Sequence, residues 1–448
     1  KKLTAPEAEI LSRLIVNKVY PKGHQFFVEG NASKARLLLV RSGNIQIETS
    51  HVTLGLQYLA GVEPQGGGPR IIGKHGYFGD DTICFSNKRE ALVSPMYTAT
   101  ALEDCEVGVL TLHTILAVVA KVRGQDVKLE DLKRHKLLGS GSFGKVYLVT
   151  NKDSKEAYAL KSQNKKQLIK SNQADGVVRE REVMGMLDYP FIIKLVTSFQ
   201  DPLHVYMLTS LYLGGELRSI MNSSRYSYLP EWVAKFYAAN VLDGLGHMHR
   251  RRILYRDLKP ENVLLDSDGY TVIVDLGFAK FVPGKTYTFC GTPLYLAPEI
   301  ILQRGHDEGA DHWSWAVMLY EMIVGIVPFW EDGMDQRALM KAIVNGAFEF
   351  PAGDFMSEES MDLLRRMLVV QPHLRLGCHA VGDKDIRNHE FFDSIDWEAL
   401  AKREVETPVK PHIKDPLDST NFRRYREEKE VDDGVPLTKA EQAIFKDF

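Results

Sequence analysis

The chain has 448 residues, 44% of them apolar, a formal net charge of −3 and four cysteines. That length exceeds one hydrophobic core and implies two or three domains, while the charge balance and the lack of a basic-aromatic stripe argue against a nucleic-acid partner. Cys84, Cys105, Cys290 and Cys378 stand too far apart for a metal-ligand or disulfide pattern, no apolar run reaches the roughly 20 residues of a bilayer span, and KKLTAPEAEI lacks a signal peptide's apolar stretch; a cytoplasmic protein is expected.

In chain order, residues 15–112 alternate short β-rich runs (RLLLVRSGNIQIE, YTATALEDCEVGVLTL) with Gly-rich turns such as GGGP at 66–69, the pattern of a small β-barrel or sandwich. This assigns 1–120 to a first domain. The charged stretch 116–136 has apolar positions at helical spacing only in pieces, and a connecting helix is expected over 121–134. Strands return from 137, and long amphipathic helices such as EWVAKFYAANVLDGLGHMH follow about 230, so 135–392 reads as a second domain. Residues 393–448 are Pro-rich and charged without clear periodicity, like an extended tail that packs on something else.

The second domain opens with LGSGSFGKV, Leu138 to Val146. Gly139, Gly141 and Gly144 permit close backbone approach, as a loop over phosphates requires. A dinucleotide fold would place a helix next, but here the strand VYLVTN and then EAYALK follow, carrying Ala159 and Lys161. In the helical stretch beyond, Glu180 or Glu182 can hold the Lys161 ammonium, Glu180 being preferred. LYRDLKPEN at 254–262 is a loop, because Pro260 lacks a backbone donor and pushes Lys259 out of helical geometry; it gathers Asp257, Lys259 and Asn262. VDLGFAK at 274–280 and TFCGTPLYLAPE at 288–299 come after it.

These five motifs, in this order, resemble the protein kinase superfamily and its AGC branch over residues 135–448. The resemblance implies ATP and Mg²⁺: a phosphate-covering lid made of Leu138, Gly139, Ser140, Gly141, Ser142, Phe143, Gly144, Lys145 and Val146; Ala159, Lys161, Glu180, Thr209, Ser210, Tyr212 and the tail aromatic Phe422 at the nucleotide; Asp257 accepting the substrate hydroxyl proton and Lys259 neutralising the moving phosphoryl group; and Asn262 and Asp275 holding metal. Phe422 reads equally as a core residue of the tail. Tyr255 and Leu276 replace the usual His and Phe, variants compatible with activity. Thr288 looks like an activation-loop phosphosite that pairs with Arg256, and FKDF at 445–448 resembles a hydrophobic motif that docks on the small lobe. Thr209 is small where many kinases carry Met, leaving room for bulky inhibitors.

The resemblance further implies that Glu216 and Glu261 are carboxylates facing arginines upstream of the target Ser/Thr, so that protein substrates with basic residues before the acceptor are expected. Met340 stands where cAMP-dependent kinases carry an acid and Leu294 replaces a glutamate, so selection for paired arginines is expected to be looser. In the first domain, PKGHQFFVEG…GKHGYFGDDTICF resembles a cyclic-nucleotide-binding domain. Its fusion to such a kinase resembles the cyclic-GMP-dependent protein kinases, apicomplexan type, with cyclic GMP as regulator. The pocket at Phe78, Gly79 and Asp80 looks degenerate: Asp81 adds a second negative charge, SPMYTATA at 94–101 has no arginine for a cyclic phosphate, and Arg89 is the one candidate substitute. Cyclic GMP is therefore expected to bind mainly to modules outside these residues. Lys88-Arg89-Glu90-Ala91-Leu92 reads as a solvated loop or as an inhibitory segment with alanine at the acceptor position. The expected fold is thus multidomain α+β, a β-barrel cyclic-nucleotide-binding-like domain followed by a bilobal kinase with an AGC C-terminal tail. An active kinase and a kinase-shaped binding module both stay open, the intact Lys161, Asp257, Asn262 and Asp275 favouring the first.

Overall fold

The computed structural model describes residues 11–12, 15–28, 33–34, 36–48, 70–79, 92–93, 97–111, 127–141, 144–224, 228–353, 356–378, 382–423, 425, 437–446 and 448. The chain divides into two compact units, Lys1–Asp126 and Val127–Phe448. Among the described residues, no helix is long and apolar enough to cross a membrane.

The first unit contains strands β1 (Val16–Tyr20), β2 (Gln25–Phe27), β3 (Ser33–Lys34), β4 (Arg36–Ser42), β5 (Ile45–Glu48), β6 (Arg70–Ile72), β7 (Tyr77–Phe78), β8 (Leu92–Val93), β9 (Thr98–Ala101) and β10 (Cys105–Thr111). They form two four-stranded antiparallel sheets, β1-β10-β4-β7 and β2-β9-β5-β6, and the pair β3-β8. Alternation along the strands sends Leu38, Val40, Val107, Ile45, Ile47 and Ala99 into one core shared by the two larger sheets. The expected barrel is not closed among the described residues: the sheets are open and share a core, as in the sandwich alternative. GGGP at 66–69 lies outside the described residues, as do Asp80, Asp81, and Lys88 to Ala91 of the basic pentapeptide.

The second unit begins with a five-stranded antiparallel sheet of β11 (Leu132–Gly141), β12 (Gly144–Asn151), β13 (Ala157–Asn164), β14 (Leu195–Gln200) and β15 (His204–Ser210), in the order β11-β12-β13-β15-β14. The described part of the expected connecting helix is not helical: Leu129–Asp131 make one 3-10 turn and Leu132 already starts β11. The charged run Lys133 to Lys136 is exposed, as an edge strand tolerates. Period-two alternation splits β15 between two cores, Tyr206 and Leu208 packing with Leu160 and Val149 on one side, Val205 and Met207 joining the larger core on the other.

Helices α1 (Lys165–Lys170) and α2 (Ala174–Met186) sit with this sheet. The helical lobe follows with α3 (Leu217–Ser223), α4 (Glu231–His249), the short pairs β16 (Ile253–Leu254) with β19 (Lys280–Phe281) and β17 (Val263–Leu265) with β18 (Thr271–Ile273), then α5 (Pro298–Ile301), α6 (Glu308–Val324), α7 (Gln336–Asn345), α8 (Glu358–Met367), α9 (Asp383–Arg387) and α10 (Trp397–Lys402). Helix α6 starts where the Asp307 side chain accepts from Gly309 N–H and stops at Gly325, whose φ of 89° suits glycine. Its nearly all-buried sequence makes it the axis of the lobe.

The tail is not uniformly extended, since α10 and α11 (Lys439–Ile444) are helical. Thr438 and Glu441 close a capping box at the start of α11. Phe445 is fully buried, and buried Lys165 holds the tail beside it, donating to Gln442 Oε1 (2.9 Å), Gln200 Oε1 (2.9 Å) and the Asp201 carbonyl (2.7 Å). Farther up, Lys136 donates to Ser419 and Asn421 to the Leu213 carbonyl.

Arg375 is the most completely buried cation of the helical lobe. Its guanidinium pairs with Glu299 through two bonds of 2.8 and 3.0 Å, donates to the carbonyls of Gly309 and Val369, and lies 4.9 Å from the Trp313 ring centroid. Arg375→Met strands a buried carboxylate and is expected to cost about 3–5 kcal/mol in urea unfolding. Adding Glu299→Gln should recover part of that loss, and a double variant no better than the single one would contradict the pairing argument.

Candidate active site

A cleft of about 780 Å³ runs between the five-stranded sheet and the helical lobe. The sheet supplies its roof by alternation: Tyr158 and Leu160 of β13 turn into the core, so Ala159 and Lys161, which alternate with them, face the cleft, with Leu138 and Val146 beside them. In register, Ala159 opposes Thr209 and Lys161 opposes both Val146 and Met207. Thr209, Ser210, Tyr212 and, from the tail, Phe422 line the same cleft, with Leu264 and Val274 below. The Thr209 hydroxyl donates to the Ala159 carbonyl at 3.4 Å.

Of the lid, Gly139, Ser140 and Gly141 end β11 and Gly144, Lys145 and Val146 begin β12, with Gly141 opposite Gly144; Ser142 and Phe143 lie outside the described residues. The glycines differ. A Cβ on Gly144 would sit 2.5 Å from the Ser162 carbonyl, whereas at Gly139 and Gly141 the nearest atoms of the described residues beyond their chain neighbours are 3.8 and 4.0 Å away. Tight packing against the protein itself therefore explains Gly144, and room toward the cleft remains for the other two.

Lys161 donates to Glu180 Oε1 at 2.6 Å and to Asp275 Oδ1 at 3.0 Å. Glu180 occupies the buried stripe of α2 between Val177 and Val183, which separates it from Glu182. Burial works against the Lys161 ammonium, but the Asp275 and Glu180 carboxylates outweigh it and hold its pKa above the usual lysine value. Lys161 in turn keeps Asp275 below the usual carboxylate range, while burial raises Glu180.

Below, the loop holding Asp257 is fixed through its backbone. The N–H groups of Tyr255 and Arg256 donate to the two oxygens of buried Asp311 at 2.8 and 2.7 Å, and His249 Nε2 lies 2.7 Å from the same carboxylate. The buried Tyr255 hydroxyl donates to the Val274 carbonyl at 2.6 Å, and Arg256 and Asp275 both adopt left-handed backbone angles, φ 70° and 54°. Such angles persist in non-glycine residues only where the surroundings enforce them. Asp257 accepts from Lys259 Nζ (3.0 Å), Asn262 Nδ2 (2.9 Å) and the Thr292 hydroxyl (2.6 Å), and Lys259 also donates to Thr292 (2.8 Å). Asn262 gives its amide hydrogens to the Asp257 side chain and carbonyl, leaving the amide oxygen as the atom it can offer a cation. With the half-exposed Asp275 carboxylate this makes a hard-oxygen pair, the donor type that suits Mg²⁺ completed by phosphate and water. Among the described residues no group of three His, Cys, Asp or Glu forms a self-sufficient metal cage.

Glu216 and Glu261 line the cleft as expected, but Glu261 already has a partner, Arg218, at 2.9 Å. Thr288 is exposed, and Arg256 is buried with Nη1 lacking a hydrogen-bond partner among the described residues. Burial lowers the Arg256 and Lys280 pKa values, and Arg179 adds to both effects. In the first unit, Phe78 is buried and the Gly79 N–H donates to the buried Tyr97 hydroxyl at 2.6 Å. Sequence reasoning missed Asp311, Thr292, Arg218 and Glu321. An aspartate inside the apolar run DHWSWAVML was the available signal for Asp311.

Comparison with known proteins agrees with this geometry. The family model for the protein kinase domain matches residues 132–392. The chain is 38% identical over 348 residues to a cGMP-dependent protein kinase of Eimeria tenella (76% of this chain, 34% of that protein) and 34% identical over 416 residues to that of Plasmodium berghei (91% and 46%). It is 38% identical over 321 residues to the cAMP-dependent protein kinase type 3 of Saccharomyces cerevisiae (71% and 79%). The chain thus spans less than half the length of these two cGMP-dependent relatives. The family model covers 132–392, and with it Lys161, Glu180, Asp257, Asn262 and Asp275 of the cleft, so this chain belongs to the protein kinase family.

Proposed function

We propose that the chain is a serine/threonine protein kinase that moves the γ-phosphoryl group of ATP to hydroxyls in basic peptides, works in the cytoplasm and is controlled by cyclic GMP. The observation that carries the reading is the joint placement of Lys161, Glu180, Asp275, Asn262, Asp257 and Lys259 in one cleft beneath a glycine lid. Phosphoryl transfer needs little covalent help and much positioning and charge neutralisation. In this reading Lys161 grips phosphate oxygens while Glu180 holds it in place. Asp257, fixed by Thr292 and Asn262, orients the acceptor hydroxyl and takes its proton, and Lys259 faces the transferring group. Asn262 and Asp275 would hold Mg²⁺, which supplies neutralisation of the phosphate charge. Thr288 is the proposed modification site, its phosphate meeting Nη1 of Arg256, which has no hydrogen-bond partner among the described residues, with Arg179 and Lys280 nearby. Glu216 supports a preference for a cation upstream of the acceptor, while Glu261, the second carboxylate expected to do so, is already paired with Arg218.

Cyclic GMP control is proposed from the relatives whose names carry it. The first unit is proposed to be a cyclic-nucleotide-binding-like domain that binds poorly itself, because the 94–101 segment has no arginine and the Gly79 amide is already taken by Tyr97. Control would then act mainly through modules outside these residues.

The direct test is transfer of labelled phosphate from Mg-ATP to an arginine-containing serine peptide. Wild-type protein should show it, and Asp257→Ala should lower kcat by about 10³-fold or more, since proton acceptance and orientation go together; near-normal turnover in the variant would remove Asp257 from its role. Isothermal calorimetry on the same 448-residue chain should show no micromolar binding of cyclic GMP or cyclic AMP. Binding at that level would show the 1–120 pocket to be competent, with Arg89→Ala deciding whether Arg89 supplies the missing cation.

A further inference from the structure

Two carboxylates near Asp257, Glu216 and Glu261, line the cleft, and a third, Glu321, lies buried behind them, so their charges are not equally available. Glu216 sits at the N-cap position of α3 without bonding the helix through its side chain, Glu261 follows Pro260 in the loop after Asp257, and Glu321 comes from the buried axis helix α6. Arg218, in the first turn of α3, reaches across to two of them. Its Nε donates to Glu261 Oε1 at 2.9 Å, its Nη1 to Glu321 Oε1 at 2.7 Å and its Nη2 to the Tyr295 hydroxyl at 2.9 Å. Tyr295 closes the ring by donating to Glu321 Oε2 at 2.5 Å. The Arg218 side chain is 19% exposed and that of Glu321 7%.

An arginine in this position is hard to displace. Removing it would leave Glu321 buried and unpaired, which costs far more than an exposed ion pair returns. The second oxygen of Glu261 is shut off from solvent and has no hydrogen-bond partner among the described residues, so, although the side chain as a whole is 41% exposed, the oxygen it can offer another guanidinium is the one Arg218 already holds. Glu216 differs: it forms no salt bridge among the described residues, burial raises its pKa, and the exposed Arg423 of the tail is the first of the cations that act on it.

We propose that Arg218 permanently occupies the place that a second substrate cation would take, so that the enzyme selects peptides by one basic residue, read by Glu216, rather than by a pair. This inference rests on the kinase reading above and names Arg218 as a specificity-determining residue of the same cleft.

The test uses the 448-residue protein and serine peptides carrying one arginine, or two, at each of the six positions before the serine. For wild-type protein, the best two-arginine peptide should exceed the best one-arginine peptide by less than about threefold in kcat/KM, well short of what one charge-assisted hydrogen-bonded pair contributes. Arg218→Ala frees Glu261 and Glu321, and the same ratio should rise to about tenfold or more. Arg218→Lys keeps the internal cation and should keep the wild-type ratio. A wild-type ratio above tenfold overturns the proposal, as does an Arg218→Ala variant that melts like wild type and shows no gain. Should that variant fail to fold, the wild-type and Arg218→Lys ratios decide. Absence of any phosphate transfer by wild-type protein would instead contradict the kinase reading, and the ratio of peptide dissociation constants from calorimetry would still decide the role of Arg218.

Discussion

The ammonium of Lys161 ties together three parts of the second unit: strand β13, which carries it, helix α2, which brings Glu180, and the segment after β18, which brings Asp275. Glu180 is 3% exposed, and a carboxylate that deep is tolerated only while a cation faces it. The pairing therefore couples the position of α2 to the state of the cleft: anything that turns Lys161 away also removes what keeps Glu180 buried. The left-handed backbone of Asp275 belongs to the same constraint, because it is the geometry in which that carboxylate meets Lys161.

A second fixed point lies below. Asp311 holds the backbone of Tyr255 and Arg256 from inside the helical core, so the loop bearing Asp257 is built on a rigid element rather than left to its own flexibility. Thr292 then links that loop to the segment 288–299 through both Asp257 and Lys259. Roof and floor are thus set by buried charges with defined partners, and in the proposed reading the cleft between them is where a nucleotide's phosphates and a substrate hydroxyl would meet.

Motifs whose meaning is local were legible in the sequence. The glycine spacing at 139–144, Ala159 and Lys161 two apart on a strand, and Asp257, Lys259 and Asn262 around one proline each carry their geometry within a few residues. Partners joined only by the fold were not. Asp311 lies 56 positions from Tyr255, Glu321 lies 103 from Arg218, and Gln442 lies 277 from Lys165, and no local pattern announces such pairs. The misread segment at 132–136 has a physical reason: LKRHK carries the charges of a solvated helix, yet it is the exposed edge of the sheet. In the tail, T-x-x-E at 438–441 was a helix start visible in the sequence and passed over.

In the proposed kinase reading, the grip of Lys161 on the phosphate oxygens matters most for the charge that develops during transfer, not merely for anchoring ATP. Lys161→Met tests it when ATP affinity and single-turnover phosphate transfer are measured on the same preparation. The account predicts an ATP dissociation constant raised by less than about tenfold and a transfer rate lowered by about 100-fold or more, the pattern of an interaction made mainly in the transition state. A collapse of ATP affinity with the transfer rate of the bound complex intact would contradict it.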